Sequence, residues 1–515
     1  DSNNVHDNNV HDNQYNIATY GCEEASTGNN IHGNTLSAPT DTNVRLFGGS
    51  PSSTVNANTM TDGKWGVKVS NGNTGASVTN NGITKFLQQG VGLYGVTGAL
   101  VDGNTIDGQG SGTTADPGTT PDTDTRYYGI FAVDSTGTLS NNIIKGIKHG
   151  LLNGTQSGTG IRVAARSGNS SNMTISGNNI TDIQKNAITI DNRYGGASVN
   201  ANVAGNTVAG NGPITYIAQN GIQVSFGATA TVSGNNVSGY DYTPPGTEAT
   251  GILLYQANAS IISGNNVHDN EDGIYLYNSN GASVTGNSLP NIRGIAVVVD
   301  LSNNGTYSGN TVMGQPASTG MYVYDSSSNN SVTGNAFRNG DFGVIVDFTG
   351  AGTPALNQFN GNCLAGNIGA GVSTTGTLVG PKVDAKANWW GAVNGATPPG
   401  SGDSIIPGDG STIDASAFLV APVVGCPTPT TDSDSDGLTD VSEVNFYLTD
   451  WQNPDTDADG CADGEEVAAD HNMGGQRNPL YHFDFYDVTG DKSVDLSDTL
   501  LILAHFGHGP SDDAL

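Results

Sequence analysis

The sequence predicts an all-β chain: a parallel β-helix (solenoid), followed by small acidic loop modules with one short α-helix. Three observations carry that expectation. One phrase recurs through most of the 515 residues, a second alternates with it, and charged residues make up only 13% of the chain while Gly reaches 74. Apolar residues, at 35%, are too plentiful and too regularly spaced for a disordered polymer. Such a mixture suits many short strands joined by tight turns, where Gly, Asn, Asp and Ser each serve a turn conformation.

The first phrase reads TLSNNI (138–143), TISGNNI (174–180), NVAGNTV (202–208), TVSGNNV (231–237), IISGNNV (261–267), SVTGNSL (283–289), TYSGNTV (306–312) and SVTGNAF (331–337). The Asn after the Gly falls at Asn178, Asn206, Asn235, Asn265, Asn287, Asn310, Asn335 and Asn362, with gaps of 28, 29, 30, 22, 23, 25 and 27. Between these copies stands the second phrase, among them GIFAV (129–133), GILLY (251–255), GIYLY (273–277) and GMYVY (320–324). Both alternate apolar and polar side chains, the period of a half-buried strand. Two or three short strands per 22 to 30 residues describe one turn of a parallel β-helix. Asn tolerates left-handed backbone angles, and stacked amides can form a ladder from rung to rung. The repeated Asn residues are therefore expected to be structural.

This pattern resembles the right-handed parallel β-helix repeat proteins secreted by bacteria, over roughly residues 1 to 425. The segment VDAKANWWGAVNGATPPG (383–400) is similar to the Asn-Trp-Trp-Gly ending of many of them. The resemblance implies that Trp389 and Trp390 plug the core at the last rung; a sugar-stacking platform is the alternative. About 13 rungs near 4.8 Å each would give a rod on the order of 60 Å long. Four cysteines (Cys22, Cys363, Cys426, Cys461) match no zinc spacing, and in a secreted protein they allow three disulfide connectivities.

Net charge is −31, and residues 432 to 515 hold 20 acidic against 2 basic residues, so −18 of it lies there. Such a chain repels nucleic acid and anionic membrane, and cations are its natural partners. No apolar run is long enough to span a bilayer. The chain starts at Asp1 without Met or signal peptide, as a processed or excerpted protein does.

The tail carries calcium-loop spacing. DSDSDGLTDVSE (432–443) places Asp432, Asp434, Asp436, the Leu438 carbonyl, Asp440 and Glu443 around one ion, with Gly437 at the turn. DTDADGCADGEE (455–466) repeats it with Asp455, Asp457, Asp459, the Cys461 carbonyl, Asp463 and Glu466. The pair resembles the type 3 repeats of thrombospondins and their bacterial relatives. A third loop, DVTGDKSVDLSD (487–498), offers Asp487, Thr489, Asp491, Ser493, Asp495 and Asp498 before the apolar run TLLILAHF. It resembles half of a dockerin repeat, departing from it by Lys492 where Gly usually turns and by the lack of a second copy. The chain thus divides into a β-helix (1–380), a terminal coil or cap (381–425), a linker (426–431), thrombospondin type 3-like loops (432–478), a single dockerin-like hand (479–508) and a tail (509–515).

Residues 126 to 193 hold 7 of the 17 Lys and Arg, among them Lys148, Arg162, Arg166, Lys185 and Arg193. Aligning Ile161 with Ile188 places Arg166 over Arg193, with Asp191 and His149 as candidate neighbours. A row of cations can bind uronate carboxylates, and an Arg or Lys can take the proton beside one in β-elimination; solvated or cross-rung ion pairs are the plainer reading. No motif of pectate lyases, polygalacturonases, pectin methylesterases or mannuronan epimerases is present. The repeated NNVHDN (3–8, 8–13 and 265–270, the first two sharing Asn8) is read as a turn, not a His-Asp dyad, and residues 1–8 as a leftover of a preceding coil or a free tail.

Two function classes follow: a non-catalytic extracellular rod serving as adhesin, matrix or filament component, favoured because catalytic signatures are missing, or a secreted polysaccharide-active enzyme. The expected partners are a surface or matrix polysaccharide, or further copies of the chain. No amphipathic capping helix precedes the first rung, and an open edge there can pair head to tail with another copy. Clustered carboxylates with little core around them tie ion binding to folding of the tail. Chelation is expected to unfold residues 432–508 while the β-helix persists; limited proteolysis in chelator checks this, and an unchanged tail refutes it.

Overall fold

The computed structural model describes residues 2–20, 27–70, 72–112, 118–350, 352–376, 382–408, 410–423, 426, 432–443, 447, 449–457, 460–467 and 477–480. Strands follow one another around a right-handed parallel solenoid of about 14 turns. They stack into three long parallel sheets of 16, 14 and 16 strands. Most coils give a short strand to the first sheet, a short strand to the second and a six-residue strand to the third, as in Ser77–Thr79, Gly82–Thr84 and Gln89–Tyr94.

Alternation decides which side chains enter the core. In the first sheet Val55, Val78, Val101 and Leu139 lie in register and are buried; Met60, Ile83, Ile106 and Ile144 do the same in the second. Most third-sheet strands carry the Gly of the second phrase as their second residue, where neighbouring coils meet closely. A Cβ on Gly129 would stand 2.6 Å from both the Gly160 carbonyl oxygen and an Ile144 methyl.

The repeated Asn forms one continuous ladder: Asn8, Asn34, Asn58, Asn81, Asn104, Asn142, Asn178, Asn206, Asn235, Asn265, Asn287, Asn310, Asn335, Asn362 and Asn388. Each Nδ2 donates to the Oδ1 of the next at 2.8–3.1 Å. Most of these amides also donate to a backbone carbonyl of the coil before, as Asn235 does to Val203 at 3.0 Å. The preceding residue is left-handed, at Gly234 with φ +61° and at Asn141 with φ +53°, a conformation that Gly and Asn adopt at little cost.

The expectation for residues 1–8 does not hold. Asn4–His6 pairs in parallel with Asn30–His32 in the first sheet, and Asn9–His11 pairs with Thr35–Ser37 in the second. The two NNVHDN copies are consecutive strands of one coil, and five residues is the distance around its corner. In each His-Asp pair the His Nδ1 meets the following carboxylate at 2.8, 2.7 and 2.5 Å, for His6–Asp7, His11–Asp12 and His268–Asp269. Each Asp has positive φ and is exposed. These are turns.

At the other end, Trp389 and Trp390 are 1% and 0% exposed, so they plug the core and offer no sugar platform. The Cys363–Cys426 disulfide packs against Trp389, so the expected linker begins at an anchored residue. Beyond it the acidic loops fold back on the second sheet. Arg338, 2% exposed on that sheet, lies with its guanidinium 5.4 Å from the Trp451 ring. Burial lowers its pKa to about 10, with Asp450, Asp440 and Glu443 pulling the other way.

Asn235→Leu tests the ladder. It removes the acceptor of the Asn206 amide and of the Asn206 backbone N–H, and the side-chain donor to Val203, in the core, at about 1–3 kcal/mol per unpaired group. Thermal melts should show a clear loss, and an unchanged midpoint would show the ladder to be incidental.

Candidate functional site

The outer face of the third sheet carries a half-open cleft of about 270 Å³, built from five successive coils that end in Leu253 and Tyr255. Strand Thr159–Ala164 presents Arg162 outward, and Asn186–Asp191 presents Thr189 beside it in register. Arg126 and Tyr128 close one end; Arg193, Lys185, Phe226, Leu253 and Tyr255 line the rest.

Two buried carboxylates hold the cations in place. Asp124 accepts from Arg126 Nη2 at 2.7 Å, Tyr128 OH at 2.8 Å, Tyr194 OH at 2.5 Å and Arg162 Nη1. Burial acts to raise its pKa, but the Arg126 hydrogen bonds and the Arg162 charge outweigh this and bring it to about 2. Asp191, fully buried, accepts from Arg193 Nε at 2.6 Å and pairs with Arg162 Nη2 at 3.4 Å. Among the described residues, the ion pairs of Arg126, Arg162 and Arg193 are to Asp124 and Asp191, so with Lys185 the cleft sets four cations against two anions in a chain of net charge −31. Lys185 donates to the Ala218 carbonyl and, among the described residues, has no carboxylate within ion-pair distance. Burial lowers its pKa to about 8.

Aromatic rings extend the cleft along the rod. Arg193 lies 5.1 Å from the Phe226 ring, Phe226 5.3 Å from Tyr255, and Tyr255 stacks on Tyr277 at 5.0 Å with 13° between planes. Flat rings beside fixed charges form a surface for ring-shaped, hydroxylated, anionic ligands.

The expected cluster is split. Asp191 and Arg193 stand together in the cleft. Arg166 lies one coil away, beyond the end of its strand, held by Asp134 at 2.5 Å and Asp122 at 3.1 Å. Lys148 pairs with Asp182 at 2.7 Å, and His149 Nδ1 meets the Gly112 carbonyl at 2.9 Å. Both precede the third-sheet strand whose far end Arg166 follows, so a strand of about 17 Å separates the two groups. Sequence reasoning named Arg126, Arg162 and Lys185 only as members of a basic region, and missed Asp124, Phe226 and Tyr255. A signal existed: the ladder steps Asn104–Asn142 and Asn142–Asn178 span 38 and 36 residues, so two coils carry insertions.

In the tail, carboxylate oxygens of Asp432, Asp434 and Asp436 lie within 4.8 Å of one another, as do those of Asp436, Glu443 and Asp463. Glu443 is fully buried, and among the described residues its Oε2 has no hydrogen-bond partner. Burial, with Asp434 and Asp436 adding to it, pushes its pKa to about 8. The two loops share one geometry. Gly437 donates to Asp432 at 3.1 Å and Gly460 to Asp455 at 2.9 Å; Asp440 accepts from Ser433 N at 2.8 Å and Asp463 from Thr456 N at 2.9 Å. Crowded hard oxygens with a buried, unmatched carboxylate fit a divalent cation. Asp459 and the third loop, with Asp487, Thr489, Asp491, Ser493, Asp495 and Asp498, lie outside the described residues.

Lys185 gives the cleft a pH dependence with a definite sign. Its folded pKa lies below its unfolded value, so the unfolded chain binds more protons above pH 8, and folding stability gains as pH rises from there toward 10.5. Lys185→Met should flatten that gain in melts taken between pH 7 and 10; an unchanged profile would show that the ammonium is well hydrated.

Among the described residues no helix is long and apolar enough to cross a membrane. No curated protein matches the sequence. Solved structures similar to the chain include the periplasmic alginate epimerase AlgG, at 13% identity over 72% of this chain and 76% of that one with a TM-score of 0.39. They also include the Dettilon tailspike protein (16%, 64% and 64%, 0.36) and a lacto-N-biosidase from Eubacterium ramulus (12%, 76% and 63%, 0.33). Residues 159–337 and 246–384 match the family model described as "Right handed beta helix region", so this stretch reads as such a region in sequence and in coordinates alike.

Proposed function

We propose that this chain is an extracellular β-helix rod that binds an acidic polysaccharide in the third-sheet cleft, and that it acts as a surface or matrix component. The observation that carries the reading is the charge count: four cations against two buried carboxylates, set beside stacked rings on a strongly acidic chain. A polyanion is repelled by most of the molecule and drawn to this one place. Guanidiniums held by buried carboxylates are also pre-ordered, so little side-chain entropy is lost when an anion arrives.

One observation favours turnover as a second reading. Lys185, with its pKa lowered to about 8, sits in the same cleft and is able to accept a proton near neutral pH. A lyase would remove the proton beside a uronate carboxylate and expel the neighbouring glycosidic oxygen, leaving an unsaturated sugar.

We also propose that the tail loops hold calcium, through Asp432, Asp434, Asp436 and Glu443 in the first loop and Asp455, Asp457 and Glu466 in the second. The buried Glu443 oxygen supports this, and six to eight oxygen ligands suit calcium better than a softer ion. Because Trp451 rests on Arg338, calcium would also fasten the tail to the rod. Addition of calcium should raise the melting temperature of the tail, and Glu443→Gln should remove most of that rise.

Binding of polygalacturonate or alginate should weaken with salt, and by about tenfold, or 1.4 kcal/mol, in Arg193→Ala or Tyr255→Ala. Equal binding by wild type and both variants would move the site elsewhere. Release of unsaturated uronides, followed by absorbance and abolished in Lys185→Met, would replace the binding role with lyase activity.

A further inference from the structure

The cleft is open at one end only. The coil between Asn104 and Asn142 takes 38 residues, and its residues 118–126 lie against the outer face of the third sheet. At Gly112 the chain is still on the second-sheet side, bridged to His149. By Asp122 it has reached the opposite edge, where Arg166 Nη1 meets that carboxylate at 3.1 Å. It returns to the near edge to begin the strand Tyr128–Val133. Residues 118–126 therefore form a crossbar over the full width of the sheet, about 17 Å for a six-residue strand.

The crossbar is clamped to the coils that follow it. Its Asp124, 4% exposed, receives Arg162 from the next coil and Tyr194 OH, at 2.5 Å, from the turn after the strand beyond. Its own Arg126 and Tyr128 add two further donors at 2.7 and 2.8 Å. The Arg162 guanidinium lies 5.5, 5.2 and 5.2 Å from the Tyr128, Phe131 and Tyr194 rings. The cleft starts at the foot of this assembly, with Arg126 and Tyr128 as its end wall. In the other direction the surface continues over Phe226, Tyr255 and Tyr277, one ring per coil.

We propose that the cleft is a blind-ended subsite that takes the terminal residue of an acidic glycan chain. The terminal sugar abuts Arg126 and Tyr128 at the crossbar, with Arg193 flanking the cleft, and the following sugars run outward over Phe226, Tyr255 and Tyr277. A chain bound by an internal stretch would have to pass through the crossbar, whose clamping carboxylate is buried. The inference rests on the reading of the cleft as an acidic-glycan site and adds to it a preference for chain ends.

Competition with the full-length chain tests it. Galacturonate oligomers of graded length and polygalacturonate would displace a labelled oligomer, with potency expressed both per chain and per uronate. End recognition predicts equal potency per chain, so that a chain roughly tenfold longer is roughly tenfold weaker per uronate. Equal potency per uronate at every length would overturn the inference and leave glycan binding intact. Failure of every length to bind would overturn the acidic-glycan reading and the inference with it. In Asp124→Ala the freed crossbar should raise the per-uronate potency of long chains. Should that variant lack the wild-type circular dichroism, Tyr194→Phe, which removes one donor to Asp124, should show the same trend to a smaller degree.

Discussion

The interaction on which everything else depends is the hydrogen bond from one buried Asn amide to the next. Each ladder side chain lies in a corner between the first and second sheets, satisfies its own donors and fills the acceptor of its neighbour. A slip of one residue between coils would bury an amide without its partner, at about 1–3 kcal/mol per group. It would also turn the adjacent apolar side chains out of the core. With the corner fixed, six-residue strands of the third sheet stack in register, and side chains far apart in sequence come to stand in rows. The row Arg162, Thr189, Gln223, Leu253, Tyr275 is one of these. The floor of the cleft is therefore a product of register, and the inserted crossbar adds its end wall.

Charge is arranged against the grain of the composition. Acid dominates the chain, yet Asp124 and Asp191, buried at the third sheet, hold guanidiniums in the cleft. Asp124 and Asp191 make firm the very cations that a distant polyanion would meet. The tail uses the opposite arrangement: carboxylates crowd inward around one another, and the cation on the rod, Arg338, is covered by Trp451 and enclosed. The same residue types give an anion-seeking surface in one place and a cation-seeking interior in the other, depending on which partner is solvated.

Much of the architecture was legible because a solenoid writes its contacts at short, repeating distances. The Gly-Asn phrase announced the ladder from Asn178 onward, and the GIxVY-like phrase announced the third sheet. The two tail loops were visible through the spacing of Asp432, Asp434 and Asp436 and its copy. The site was less so. Lys148 and His149 were grouped with Arg166 and Arg193 because they are near in sequence, whereas a coil carries neighbours in sequence around to a different face. Residues 1–8 looked like a leftover of a preceding coil or a free tail, but consecutive strands within a coil obey the same turn chemistry as equivalent strands in successive coils. The docking of Trp451 on Arg338 spans more than a hundred residues and leaves no periodic trace.

The two long ladder steps have a consequence for how such a protein changes over time. Chain added at a corner leaves the Asn on either side untouched, so a rod can gain or lose whole loops without disturbing its register. Here the steps of 38 and 36 residues are adjacent, and they supply the crossbar and one flank of the cleft. Deleted back to the length of their neighbours, they would leave an unbroken sheet. The structural frame and part of the site are thus separable in inheritance: the frame is constrained coil by coil, while the end wall and one flank of the cleft reside in a pair of insertions free to vary.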